Sequence, residues 1–125
     1  MKKAFASPQA PAAVGPYSQA IGCGDLVFLS GQLGLTADGV LAGEDAAAQA
    51  RQALANIRAV LAAAGLEMNQ VLKTTVFLTD MNDFAAVNEV YREFFAEPFP
   101  ARSCVQVAAL PRGAKVEIEV VAGRG

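Results

Sequence analysis

Residues 45–79 read DAAAQARQALANIRAVLAAAGLEMNQVLKTTVFLT, and within them the spacing of the apolar side chains changes once. From Asp45 onward Ala47, Ala50, Leu54, Ile57, Leu61 and Ala64 recur at steps of three and four, which is one face of an α-helix. Gly65 supplies the residue that commonly ends such a helix in a left-handed turn. Between Gln70 and Thr79 the period falls to two, with Leu72, Thr74, Val76 and Leu78 on one side and Lys73, Thr75 and Phe77 on the other. A helix leading into a strand of this kind predicts a helical layer packed on a sheet.

The same reading extends in both directions. Downstream, Asp80 or Asn82 can cap a second helix over NDFAAVNEVYREFFAE (82–97), with Phe84, Val87, Tyr91, Phe94 and Phe95 inward and Pro98 and Pro100 closing it. Two strands follow, near 102–108 and 115–122, on either side of LPRGA. Upstream, VGPYSQAIGCGDLVFLSGQLGL (14–35) carries a turn signal at Gly22–Asp25 between strands near 17–21 and 26–30. Gly31 and Gly34 loosen the second of these, and TADG (36–39) is a further turn. Residues 1–13 are rich in alanine and proline, with a short strand near Lys2–Ala6. The order β-β-β-α-β-α-β-β predicts one α+β domain over 1–125, a mixed sheet with two helices packed on one face.

Composition narrows the function classes. Hydrophobic residues are 54% and charged residues 18% of the 125, an excess that points to surface hidden in an oligomer. Net charge is -2 with the basic residues scattered, so no electrostatic grip on nucleic acid is expected. No apolar run approaches the ~18 residues of a membrane span, and the N-terminus lacks the apolar core of about 7–15 residues of a signal peptide. Cys23 and Cys104 alone make no disulfide framework, which predicts a reducing, cytoplasmic location. The chain has no histidine. Serine–histidine and cysteine–histidine couples and HExxH zinc sites are therefore excluded, and two separated cysteines are a poor metal site. No glycine-rich phosphate loop is present. Chemistry is left to carboxylate, guanidinium, hydroxyl, thiol and backbone groups.

Those groups concentrate in PARSCVQVAALPRGAKVEIEV (100–120). On a strand Arg102, Cys104 and Gln106 share one face, and Ser103, Val105 and Val107 the other. In the last strand Val116, Ile118 and Val120 read as core, with Glu117 and Glu119 opposite. If the two strands pair antiparallel, an even connection sets Arg102 and Cys104 beside the glutamates, and an odd one separates them. A solvated face with a surface salt bridge and one half of an active site both fit this pattern, although cysteine seldom decorates a wet face. Asn88 falls among Phe84, Tyr91 and Phe95 at helical spacing, where it either satisfies a backbone group or serves a site. Tyr17 follows Gly15–Pro16, as a half-buried aromatic or a pocket wall. Ser30–Gly31–Gln32 ends a strand, as a bulge or as a place where a ligand approaches the backbone.

Taken together, GPYSQA (15–20), FLSGQL (28–33), DAAAQARQALANI (45–57), KTTVFLTDMNDFAAVNEVY (73–91) and PARSCVQVAALPRGAKVEIE (100–119) resemble the Rid (reactive intermediate deaminase, or YjgF) family, from about Ala10 to Ala122. The resemblance is to its archetypal 2-iminobutanoate/2-iminopropanoate deaminase branch. It implies a chorismate-mutase-like subunit in a homotrimer, with sheets inward and sites between subunits. It further implies hydrolysis of small 2-imino acids, or their enamine tautomers, to 2-keto acids and ammonia, with no metal or organic cofactor. By the same resemblance Arg102 holds the substrate carboxylate through its planar fork, and Glu117 positions the attacking water. Tyr17, Ser30, Gly31, Asn88 and Cys104 line the substrate pocket, and no role passes to Glu119. On this reading the polar sheet face is a cleft wall shared by Arg102, Cys104 and Glu117, with the cation holding Glu117 ionised. The connection FFAEPFPARS (94–103) is shorter than in archetypal members, which bears on substrate size. Alternative expectations are a non-catalytic trimer that binds small carboxylates and a chaperone-like surface role. RNA cleavage is a third, opposed by the acidic net charge.

Overall fold

The computed structural model describes residues 1–125. Its strands are β1 (Lys2–Phe5), β2 (Ala20–Cys23), β3 (Leu26–Leu29), β4 (Gln32–Leu33), β5 (Val71–Leu78), β6 (Ala101–Gln106) and β7 (Val116–Gly123); its helices are α1 (Ala46–Ala63) and α2 (Phe84–Phe94). All strands join one sheet in the order β1-β2-β3-β7-β5-β6, with β4 also pairing with β7. The β5–β6 pair is parallel and every other pair is antiparallel. This is the mixed α+β architecture expected from the pattern, with one strand more. No helix is long and apolar enough to cross a membrane.

The first hairpin is tighter than its turn signal suggests. Cys23 pairs with Leu26, so only Gly24 and Asp25 form the loop. Gly24 has φ +61°, a left-handed position natural in a two-residue hairpin and cheap for glycine. The strand expected at 17–21 is therefore shifted to Ala20–Cys23, and Tyr17 lies ahead of it. After Leu29 the Ser30 amide donates to the Gln19 carbonyl, and the Ser30 hydroxyl donates to the Ser18 carbonyl at 2.6 Å. The chain then re-enters the sheet as β4, too short to leave a periodic signature.

Helix α1 starts at Asp45, whose carboxylate accepts from the Ala48 amide at 2.7 Å, and stops before Gly65 at φ +77°. Ala50, Leu54, Ile57, Leu61 and Ala64 are buried as predicted, while Ala47 is only half-buried. Gln49 and Asn56 share the buried side, and both are satisfied. Asn56 donates to the Leu33 and Leu35 carbonyls, whereas Gln49 donates to the Gly43 carbonyl and accepts from the Lys115 amide. These two amides fasten the segment after β4, and the start of β7, to the helix.

Strand β7 sits between β3 and β5, and its Val116, Ile118, Val120 and Ala122 form the centre of the core at no more than 2% exposure. Thr74, Val76 and Leu78 of β5 continue this face. Asp80 caps a single 3-10 turn at Met81–Asp83, and α2 begins at Phe84. Val87, Tyr91 and Phe95 are buried as expected; Val90 joins them, and Phe84 remains 36% exposed. The Tyr91 and Thr74 hydroxyls form a buried hydrogen bond of 2.9 Å that ties α2 to β5.

The crossover through α2 returns the chain parallel to β5, which places β6 at the sheet edge. An antiparallel β6–β7 pair does not form. β5 separates the two strands, so the parity of their connection decides nothing.

Candidate active site

Register across β5 fixes which side chains share a face, because paired residues in adjacent strands point to the same side. Arg102 pairs with Thr74, which pairs with Val120; Cys104 pairs with Val76, which pairs with Ile118. Arg102 and Cys104 therefore stand on the helix-covered side. Ser103 aligns with Thr75 and Glu119, and Val105 with Phe77 and Glu117, all on the uncovered side. The expected common wall of Arg102, Cys104 and Glu117 is corrected: within one subunit they lie on opposite faces of the sheet.

Each face carries its own cluster of the expected residues. On the helix side Arg102 overhangs the core at the sheet edge, where a cation stays wet. Its Nη1 donates to Asn88 Oδ1 at 2.7 Å. Its guanidinium carbon lies 4.8 Å from the Tyr91 ring centre and 5.5 Å from that of Phe84. Two aromatic faces and one amide thus orient the fork while leaving most of its donors free. Cys104 is half-buried against the core, and burial pushes its thiol up, the larger effect, against the lowering by Arg102. The thiol stays protonated near neutrality, a poor nucleophile.

On the other side a cavity of about 860 Å³ is lined by Tyr17, Ser30, Gly31, Arg112 and Glu117, among others. β4 places Leu33 opposite Glu117, which brings the Ser30–Gly31 corner over that carboxylate. A Cβ on Gly31 would fall 2.8 Å from Glu117 Cδ and 2.9 Å from its Oε2, so the glycine is the space the carboxylate occupies. Burial, and secondarily Glu119, raise the Glu117 pKa. The subunit's ion pairs are Arg51–Glu93 and Arg92–Glu89. No cation of the same chain pairs with Glu117, so the expected lowering by Arg102 does not operate within one subunit. No cluster of three metal-ligating side chains is present.

The sequence profile of the endoribonuclease L-PSP family matches residues 7–123. The chain belongs to this family, the Rid (YjgF) family. The 2-iminobutanoate/2-iminopropanoate deaminase of Salmonella typhimurium is 50% identical over 127 residues, 99% of each chain. The mouse deaminase of the same name is 48% identical over 126 residues, covering 100% of this chain and 93% of that one. Among solved structures, E. coli TdcF with bound serine matches with a TM-score of 0.93 at 46% identity, covering 98% of this chain and 99% of that one.

For this Rid protein, the seven residues singled out in the sequence fall into two sets. Asn88, Arg102 and Cys104 gather between α2 and β6. Tyr17, Ser30, Gly31 and Glu117 gather on the opposite side. Sequence reasoning missed that Phe84 and Tyr91 are the platform under Arg102; the signal available was their helical spacing around Asn88, i−4 and i+3. It also missed Arg92 and Arg112 as walls of the two cavities.

Proposed function

We propose that this Rid protein hydrolyses small 2-imino acids, 2-iminopropanoate and 2-iminobutanoate, to 2-keto acids and ammonia, in sites where Arg102 of one subunit meets Glu117 of another. The observation that carries the reading is the split itself. A carboxylate anchor and a water-handling carboxylate stand on opposite faces of one sheet, each next to open space, and only a second copy can bring them together. The relatives half identical over nearly the full length are deaminases by name. The bound serine of TdcF is a small α-amino acid with the carboxylate such a fork would hold.

A homotrimer joins the halves. The uncovered sheet face carries Phe28 at 46% and Val105 at 43% exposure, apolar surface that a second copy would bury. In the joined site Arg102 grips the carboxylate with two charge-assisted hydrogen bonds, and Asn88 and the ring platform fix its plane. Ser30 spends its own proton on the Ser18 carbonyl, so its oxygen is free to accept an N–H from the imine. Tyr17 and the Gly31 backbone close the wall, and Cys104 packs against the substrate as a neutral thiol.

Glu117 takes a proton from water as the water oxygen bonds to C2 and the C=N π pair moves to nitrogen. That proton passes to the nitrogen to give the 2-amino-2-hydroxy acid; Glu117 then moves the hydroxyl proton to the amino group, and the C–N bond breaks to release ammonia as the C=O bond forms. Burial and Glu119 make Glu117 a stronger base than an ordinary carboxylate. Arg102 arriving from the partner keeps it ionised at neutral pH. Cys23 and Cys104 are free thiols, suited to a cytoplasmic setting.

The test generates 2-iminopropanoate with an amino-acid oxidase and follows keto-acid release against the uncatalysed rate. Arg102→Ala removes one partner of a charge pair that is desolvated once substrate and the second subunit close over it, about 2–5 kcal/mol, so kcat/KM should fall by about thirtyfold or more with the fold intact. An Arg102→Ala protein of near-normal activity would overturn the anchor assignment.

A further inference from the structure

We propose that Arg92 forms a second anion subsite beside Arg102, through which the protein also accepts 2-imino acids with an acidic side chain, of which 2-iminosuccinate is the smallest. The proposal rests on Arg102 as the anchor for the α-carboxylate and extends that reading to substrate range.

The cleft on the helix side has a volume of about 350 Å³ and is lined by Asn88, Tyr91, Arg92, Phe99, Pro100 and Arg102. Two of its six residues are arginines and none is acidic. Asn88 and Arg92 are one turn apart on α2, on the same helix face, with Cβ atoms about 5–6 Å from each other. Arg102 donates to the Asn88 amide at 2.7 Å, and Arg92 lines the same cleft one helical turn from that asparagine.

Neither cation has a strong acidic partner. Arg102 forms no salt bridge within the subunit, and Arg92 has one contact, Nε to Glu89 Oε1 at 4.0 Å, with side chains 64% and 78% exposed. An exposed pair at that distance contributes little and leaves both Nη groups of Arg92 free. Two like charges on one small cleft repel each other until an anion sits between them. A four-carbon dicarboxylate places its α-carboxylate on Arg102 and its second carboxylate on Arg92, with Phe99 and Pro100 against the carbon chain. A neutral side chain leaves Arg92 in water at no cost, so the small neutral substrates are retained.

Arg92 is a solvent-exposed helix residue, and its replacement should not disturb folding. The experiment compares kcat/KM for 2-iminopropanoate and for 2-iminosuccinate, each generated in place by an oxidase, in wild type, Arg92→Ala and Arg102→Ala. The expected result is turnover of both by wild type. Arg92→Ala should lose about tenfold on 2-iminosuccinate while staying within about twofold on 2-iminopropanoate, the size of one charge-assisted contact at a half-exposed site. Arg102→Ala should lose both. Turnover of 2-iminopropanoate but not 2-iminosuccinate by wild type, or an equal effect of Arg92→Ala on the two, would sink the subsite and leave the deaminase reading standing. Should wild type turn over neither, that reading fails instead, and calorimetry decides the subsite alone. Succinate should then bind more tightly than propionate in wild type and equally in Arg92→Ala; equal binding in wild type overturns it.

Discussion

Removing the Asn88 amide tests whether Arg102 is held ready for its ligand. The guanidinium has one hydrogen bond to the protein, Nη1 to Asn88 Oδ1 at 2.7 Å. Hydrogen bonds to charged groups contribute roughly 1.5–3 kcal/mol when protected from water, and this one is exposed, so the lower end applies. An independent estimate considers entropy: re-ordering a long side chain on ligand binding costs about 0.5–1.5 kcal/mol. Both converge near 1.4 kcal/mol, about tenfold in affinity. Because the anchor acts on ground state and transition state alike, Asn88→Ala should raise KM about tenfold with kcat nearly unchanged. Asn88→Asp should be worse, since a carboxylate at that position pairs with Arg102 and competes with the substrate, most severely at low ionic strength. The assay is steady-state keto-acid release over a range of imine fluxes. If Asn88→Ala stays within about twofold of wild type in kcat/KM, or Asn88→Asp binds substrate more tightly, pre-organisation of Arg102 is refuted.

Glu117→Gln keeps the shape and hydrogen bonding but removes the base, so kcat should fall by about 10²-fold or more with carboxylate binding retained; a variant with wild-type kcat would remove Glu117 from the mechanism. Glu119 is the second cause of the raised Glu117 pKa. Glu119→Gln should therefore let Glu117 stay ionised to lower pH and move the acid limb of kcat/KM downward, whereas an upward shift would contradict the coupling. Gly31→Ala should cut activity while leaving the melting temperature nearly unchanged, because its Cβ meets only the movable end of Glu117. Gly34→Ala should show the reverse, since a Cβ there meets Gln49 backbone atoms at 2.5 Å and overpacking costs about 1–3 kcal/mol. Thermal unfolding beside the activity assay separates the two.

The sequence made faces legible far better than neighbours. Period and caps located α1, β5 and β7 closely, because each has one buried side and one wet side. Strand β6 has no such contrast: nearly all of it is exposed at the sheet edge, so its alternation could not say which side faces the helices. Arg102 and Cys104 were expected on one cleft wall with Glu117, away from the core, yet at an edge a long cation can overhang the core and still reach water. The pairing of β6 with β5 was hidden for a different reason. Strand order depends on where α2 carries the chain, and local pattern is silent about that. The two-residue β4 lies below the length at which any period shows, although Gly31 and Gly34 marked its ends. The candidate site residues themselves came through resemblance, and their division between the two sheet faces needed the register across β5.

That division is tested most directly by mixing two inactive variants. Arg102→Ala and Glu117→Gln subunits, unfolded together and reassembled at equal amounts, should form mixed trimers. If every site takes Arg102 from one subunit and Glu117 from the next, about one quarter of the sites in a random cyclic assembly receive both intact residues. Activity should then recover to roughly a quarter of wild type, while each variant reassembled alone stays inactive. A mixture as inactive as its components, with exchange of subunits verified by mass, would mean that both residues serve the same site from the same chain and would contradict the account.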